Sequence, residues 1–498
     1  MNAPNDSGRD GTRGFLTASL IAALLEGLPA HSVLHRTEDT RPYECDGLAM
    51  IRVTPVAVVL PGDEEQVRHV LRTCHRLRVP VVARGAGTSL AGGSTPNAEG
   101  VVLAMARFNK ILAVDPAARV AIVQPGVRNL AISEAAVKHG LYYAPDPSSQ
   151  IACSIGGNVA ENSGGVHCLK YGLTLHNVLR VRGFLMDGEP VEFGGDALDA
   201  PGLDLLSIVI GSEGMLAITT EITVKLIPKP ALARCIMASF ATVHQAGDAV
   251  AQLIGAGIIP AGLEMMDQAA TRMVEPFAKA GYDLDAAAIL LCESDGTQEE
   301  VEHEIAHMSR VLEGAGANRI AVSASEAERL RMWGGRKNAF PAAGRVSPDY
   351  YCMDGTIPRK RLGEMLEAMK DMEQRFGLKC PNVFHAGDGN LHPLILFDAN
   401  DPDSHHRAEQ FGAAILELCI ELGGTITGEH GVGLEKLDQM CRQFDDCERD
   451  AFWGVKRAFD PVGLLNPDKG LPRPQRCAEQ GRMHVHGGQL PFAELERF

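Results

Sequence analysis

The sequence predicts an α+β protein with two unlike parts, and three observations carry that expectation. Before residue 228, β-branched strand runs alternate with helical stretches and are interrupted by three glycine-rich loops. After Pro228-Lys229-Pro230 the rhythm changes to strands and helices of the kind that lay helices over an antiparallel sheet. At 498 residues, with 45% hydrophobic and 22% charged positions, the chain is long enough for two or three well-filled cores.

In chain order, residues 1–14 are polar and expected to be disordered, and an apolar-periodic helix follows from Leu16 to Leu25. Met50 to Pro55 opens the first α/β unit, Val56 to Leu60 reads as a strand, and Asp63 caps a helix that begins Glu64-Glu65. The strand Val79-Pro80-Val81-Val82-Ala83 then runs into Arg84-Gly85-Ala86-Gly87-Thr88-Ser89-Leu90-Ala91-Gly92-Gly93. Glycines at a strand end let backbone N–H groups converge on a pyrophosphate without any lysine. The nicotinamide dinucleotide fingerprint is rejected: Leu90 stands where its third glycine belongs, and Ala91 to Pro96 cannot open the helix it requires.

Strands are expected at Val101–Met105 and Val120–Gln124, then a Pro125-Gly126 turn and a helix ending at Gly140. Pro145-Asp146-Pro147-Ser148-Ser149 leads into residues 154–165, with four glycines and two asparagines in twelve positions, which reads as a loop wrapping a ligand. Gly211-Ser212-Glu213-Gly214, before Leu216 to Thr219, is the third such loop. Beyond 228, strands are expected at Cys235–Phe240, Gly262–Met266 and Ala288–Cys292. Helices are expected at His244–Ile254, Thr297–Leu312, Lys360–Phe376 and, as one long element, Leu434–Phe459.

The second part carries a candidate metal constellation. Phe384-His385-Ala386-Gly387-Asp388-Gly389-Asn390-Leu391-His392 has a tight turn at its centre and reads as a hairpin placing His385 and His392 on neighbouring strands. Gly428-Glu429-His430-Gly431 is a glycine-flanked loop. Two histidines and one carboxylate are a divalent-metal set with open positions, so His385, His392 and Glu429 are the expected ligands, leaving His430 as a free imidazole base. The bland alternative is a group of satisfied histidines, since this is not the H-E-x-x-H motif.

The net charge of −16 and pI near 5.5 argue against nucleic acid. No stretch approaches the roughly 18 consecutive apolar residues of a membrane span, so a cytoplasmic chain is expected. Twelve cysteines without a C-x-x-C pair suit buried thiols in a reducing compartment, and an iron–sulfur cluster would have to lie on a partner.

Taken together, residues 84–93, 154–165, 211–214, 385–392 and 428–431 resemble the FAD-linked oxidases of the vanillyl-alcohol oxidase type, and more closely their D-2-hydroxyacid dehydrogenase branch. Trp333 to Pro341, Asp349 to Gly355, Phe459-Asp460-Pro461, Leu465-Asn466-Pro467 and the tail His484 to Phe492 look like the FAD-binding catalytic subunits of bacterial glycolate oxidases. The resemblance implies a two-subdomain flavin-binding domain (15–228), an α+β cap for substrate and metal (229–433), and a C-terminal helical segment with tail (434–498) returning to the flavin side. At the FAD it places Arg84, Gly85, Ala86, Gly87, Thr88, Ser89, Pro147, Ser148, Ser154, Gly156, Gly157, Asn158, Asn162, Gly214, Ile218 and Asn466. The spacing leaves open whether Ser154 and Asn158 touch the flavin or shape the loop.

The resemblance further implies Arg336 as the grip on a substrate carboxylate, a divalent metal of the Zn, Mn or Fe kind, and His430 as the base for oxidation of a short 2-hydroxy acid, glycolate to glyoxylate. D-lactate to pyruvate is the alternative, and a non-redox metallohydrolase or a flavin-bearing assembly subunit the more distant ones. Relatives that oxidise 2-hydroxyglutarate carry a threonine and a lysine where Phe340 and Cys352 stand here, which favours a monoacid. Thr88 takes the place of a flavin-linking histidine, so noncovalent FAD is expected. The implied partners are an iron–sulfur subunit and a second FAD-binding subunit, passing electrons to a quinone with peripheral contact at the inner membrane.

Overall fold

The computed structural model describes residues 17–197 and 202–473, so the N-terminal stretch 1–14 and the tail His484 to Phe492 lie outside the described residues. Residues 17–25 are helical, as the apolar period suggests. The first unit is a four-stranded sheet ordered Val33–Leu34, Ala57–Val59, Val101–Ala104, Val81–Arg84, the last three mutually parallel. Its crossover helix Glu64–Leu77 starts where Asp63 Oδ1 accepts from Gln66 N at 2.9 Å, and it buries Val67, Val70, Leu71 and Cys74 on the sheet. Val81–Arg84, which delivers the first glycine loop, is the edge strand. The C-terminal segment closes that edge, with Val81 N donating to Leu464 O and Asn466 N to Val81 O, both at 2.8 Å. Residues 464–466 thus meet this unit through an isolated parallel bridge, Val81 to Leu465.

A second, fully antiparallel sheet follows, ordered Ile111–Asp115, Val120–Val123, Ile218–Lys225, Val178–Phe184, Pro190–Gly194. Against it packs the helix Ile155–Glu161. Residues 154–165 are thus not the continuous loop expected from their glycines. Ile155 and Val159, one turn apart, are buried in this core, and that burial offsets the cost of about 1 kcal/mol per helical glycine. Ser154 is extended ahead of the helix, and Asn162 ends it in the left-handed region at φ 54°.

The cap is a five-stranded antiparallel sheet ordered Arg319–Val322, Leu232–Phe240, Ala288–Gly296, Gly262–Asp267, Val383–His385. Helices cover both faces. Ile236, Ala238 and Phe240 pack with Val243–Gly255, Gln298–Gly314 and Leu362–Phe376, whereas Cys235 and Met237 pack with Gln268–Ala278, Glu326–Lys337 and Ala339–Val346. Double coverage explains why these strands read as unbroken apolar runs rather than alternating ones. The expected single helix Leu434–Phe459 is two helices, Leu437–Gln443 and Asp446–Phe459. The break is a capping box in which Asp445 accepts from Glu448 N and Glu448 returns to Asp445 N, which stabilises a new start over continuation.

A buried polar seam joins the first part to the cap. His167 bridges Asp146 (2.8 Å) and Glu293 (3.1 Å), Arg329 and Trp333 also reach Glu293, and Lys170 and Tyr171 converge on Asp295. Burial alone would lower the His167 pKa, but the Asp146 and Glu293 carboxylates outweigh it and raise it from 6.5 to about 10. A folded-state pKa raised above the unfolded one contributes stability that is complete below the unfolded value and lost as pH rises through the folded one. The gap in melting temperature between wild type and His167→Gln should therefore be widest below pH 6.5 and close progressively towards pH 10. A gap that widens over that interval contradicts an imidazolium at this seam.

Candidate active site

A cavity of about 500 Å³ runs from the first glycine loop to the metal constellation. Arg84 to Ser89, Pro147, Ser148, Ser154, Gly156, Gly157, Asn158, Gly214 and Ile218, all expected at the cofactor, line it. The loop lies so close on the helix start that a Cβ on Gly85 would collide with Ser154 Oγ, and that hydroxyl accepts from Ala86 N at 3.2 Å. Ser154 therefore shapes the loop as well as lining the cavity. Asn162 and Asn466 stand outside the lining, because each is spent bracing backbone. Asn162 Oδ1 accepts from Leu175 N, and Asn466 Nδ2 donates to the carbonyls of Gly93 and Glu213.

At the other end stand His392, Glu429 and His430, with Lys337, Asn338, Phe340, Pro341 and Tyr350 on the cap wall. The expected hairpin exists as a narrow turn rather than a two-stranded ribbon. His385 pairs with Asn390 and Asn382 with Pro393, after which Leu394–Phe397 leaves to pair with Asp349–Cys352. The turn still brings the rings together, with His385 and His392 centroids 5.0 Å apart and nearly perpendicular. Both Nε2 atoms face one oxygen, Glu429 Oε1, at 3.4 Å from His385 and 2.8 Å from His392. The three ligand atoms lie within 4.8 Å of one another. His430 stacks on His392, centroids 4.9 Å apart and planes 5° from parallel, and its Nδ1 is buried without a partner.

Burial opposes charge on His385, yet Glu264 and Glu429 raise its pKa well above the ordinary value, and the two histidines hold Glu429 well below its own despite burial. Without a metal, His385 and Glu429 thus stand as an imidazolium facing a carboxylate. His430 differs: burial lowers its pKa to about 4, with Asp354 opposing only in part, so it is neutral at pH 7 and able to accept a proton.

Three residues not singled out from sequence hold this geometry. Glu264, on the cap strand and 1% exposed, accepts from His385 Nδ1 at 2.6 Å and from Arg336 Nε at 2.7 Å. That contact fixes the ring so that His385 Nε2 faces Glu429. Asp354 receives the backbone N–H groups of Gly428, Glu429 and His430, the Thr427 hydroxyl, Asn390 Nδ2 and Lys436 Nζ. Lys436 is fully buried against it. A lone carboxylate in the apolar run Gly262-Leu263-Glu264-Met265-Met266 was the available signal for Glu264; nothing local marked Asp354 or Lys436. Arg336 itself is 1% exposed and stands behind the lining, with Nη2 lacking a partner.

Comparison with known proteins adds independent weight. Residues 55–194 match the FAD binding domain family and residues 229–470 the family of FAD linked oxidases, C-terminal domain. The chain is 60% identical to glycolate oxidase subunit GlcD of Escherichia coli K12, over 96% of both chains. It is 38% identical to GlcD of Bacillus subtilis, over 87% of this chain and 93% of that one. A D-lactate dehydrogenase of Anaerostipes hadrus is 32% identical, over 91% and 97%. Among solved structures, 4-ethylphenol oxidase from Gulosibacter chungangensis superposes with a TM-score of 0.78 at 18% identity, over 93% of this chain and 98% of that one, which speaks to fold alone. The glycine-lined cavity, of ligand size and bounded by the close approach of Gly85 to Ser154, fits an FAD.

Proposed function

This chain belongs to the FAD-linked oxidases, and from that premise we propose that it oxidises glycolate to glyoxylate. The observation that carries the proposal is the convergence of His430, its Nδ1 buried and without a partner, with Glu429 and His392 at one end of a cavity whose other end is the glycine-lined cofactor wall. His430 accepts the substrate hydroxyl proton, while the hydrogen on Cα departs as hydride with two electrons. Bound FAD supplies the two-electron acceptor. Arg336, behind the cavity lining with its Nη2 unpartnered, is the residue we assign to the substrate carboxylate, and Glu264 holds Arg336 and His385 in register. His385, His392 and Glu429 would hold a divalent metal, which would lower the hydroxyl pKa. Zn, Mn and Fe all suit this donor set.

Phe340 lines the cavity, its ring 5.7 Å from that of Tyr350. The Phe340 ring itself offers nothing to a second carboxylate, and Lys337 is the cation nearest it in sequence on this wall, so turnover of 2-hydroxyglutarate should fall below that of glycolate; comparable kcat/KM values would remove the monoacid reading. Glycolate is favoured over D-lactate because the Escherichia coli GlcD, at 60% identity, is far more similar than the D-lactate dehydrogenase, at 32%.

We further propose that the chain works in an assembly with an iron–sulfur subunit and a second FAD-binding subunit, delivering electrons to a quinone at the inner membrane. Its relatives are named as subunits, and no C-x-x-C pair or cluster run occurs in this sequence. No helix among the described residues is long and apolar enough to cross a membrane.

The test is the anaerobic visible spectrum of the purified holoprotein. Glycolate should bleach the flavin band faster than D-lactate, and His430→Ala should slow that bleaching by about 10²–10⁴-fold with FAD still bound. Unchanged bleaching in His430→Ala would refute the base assignment.

A further inference from the structure

The metal constellation lies on a partition between two cavities. His392 and His430 line the 500 Å³ cofactor cavity, His385 lines a second cavity of about 290 Å³, and Glu429 lines both. The first cavity is the one whose glycine-lined wall would hold FAD, and His385 lines only the second. That cavity extends from His176, which is exposed, to His385, which is 4% exposed. Its walls are Thr356, Thr425, Thr427, Asp388 and Asn390, and the Asn390 Oδ1 atom is buried with no hydrogen-bond partner. A single water needs only ~10–15 Å³ of such space, so this volume admits a hydrated cation.

At its inner end three side chains meet over Gly164. A Cβ there would collide with Glu429 Oε2, lie 2.9 Å from Leu173 Cδ2 and 3.2 Å from Cys168 Sγ. Gly164 is thus what lets Leu173 stand directly beside the ligand carboxylate. Leu173 is half-buried, lines this cavity with the exposed His176 and reaches the same spot over Gly164 as Glu429 Oε2.

We propose that the second cavity is the entrance by which solvent and the divalent cation reach His385 and Glu429 while FAD is bound, with Leu173 as its gate. The cation half of this inference rests on the metal site proposed above; the solvent half does not. Carboxylates at both Asp388 and Glu429, with hydroxyls between them, give a cation polar contacts along the way. Nothing on the FAD wall is needed for exchange.

Two measurements on the FAD-loaded protein test it, each on Leu173→Trp and Leu173→Ala. The first is metal retained after timed exposure to EDTA, by elemental analysis. The second is the rate of deuterium exchange at the imidazole C2–H of His385, read by mass spectrometry, which requires no metal. Leu173→Trp should slow both at least tenfold and Leu173→Ala should speed both at least threefold, with flavin content unchanged. Rates equal to wild type in both variants would overturn the entrance. Rates that change only when FAD is removed would also overturn it, by assigning access to the cofactor cavity. If the purified protein neither holds nor binds a divalent cation, the metal site fails, and His385 exchange alone decides the entrance.

Discussion

Asp354→Ala is expected to lose at least 10³-fold in the rate of flavin reduction by glycolate and about 3–5 kcal/mol of stability. The structural cause is its place between the two halves of the site. One half is the turn from His385 to His392, where Asn390 donates to Asp354 Oδ1 at 2.9 Å. The other is the loop 427–431, whose N–H groups at Gly428, Glu429 and His430 all point at the same carboxylate. Removing the side chain frees both halves and leaves Lys436, fully buried, without its carboxylate partner at 3.1 Å. Breaking one side of a buried pair costs far more than the pair contributes.

Two controls separate placement from general destabilisation. Asp354→Asn keeps the volume but turns one acceptor into a donor facing N–H groups, so it should melt closer to wild type yet still reduce flavin at least a hundredfold more slowly. Lys436→Met in the Asp354→Asn background should regain stability, since the buried cation left with only Glu435 at 3.6 Å is gone, without regaining rate. An Asp354→Ala protein that holds its metal one to one and reduces flavin within threefold of wild type would show that the loop 427–431 holds itself.

Local patterns in the sequence marked the residues that meet at the cavity far better than those that hold them in place. Glycines at a strand end, and histidines around a Gly-Asp-Gly-Asn turn, are local patterns with local causes, and fourteen of the sixteen expected cofactor residues do line the cavity. Asn162 and Asn466 departed because an asparagine in a left-handed or loop position satisfies backbone as readily as ligand, and spacing does not distinguish the two. The helix Ile155–Glu161 was hidden by glycine count, although Ile155 and Val159 carried its one-turn spacing. The break at Asp445 was legible in principle as Asp445-Asp446-Cys447-Glu448, a capping box overridden by the apolar period on either side. Glu264 and Asp354 are different in kind. Their partners lie 72 to 121 and 36 to 82 residues away, so only the assembled fold reveals them.

The second large effect is expected at Arg336, where binding and architecture are entangled. Arg336→Met should raise KM for glycolate at least tenfold, and it should also cost about 3–5 kcal/mol because Glu264, 1% exposed, would be left a buried carboxylate with only His385 opposing it. Arg336→Lys should not restore KM, since one ammonium cannot occupy the Glu264 contact and present a second, separate donor as the guanidinium does. The double variant Arg336→Met with Glu264→Gln resolves the two roles. A neutral amide oxygen still accepts from His385 Nδ1 but carries no charge needing a partner, so stability should return to within about 1 kcal/mol of wild type. KM should stay high, because the carboxylate grip is still missing. Recovery of KM together with stability would show that Arg336 acts on the substrate only through Glu264 and His385.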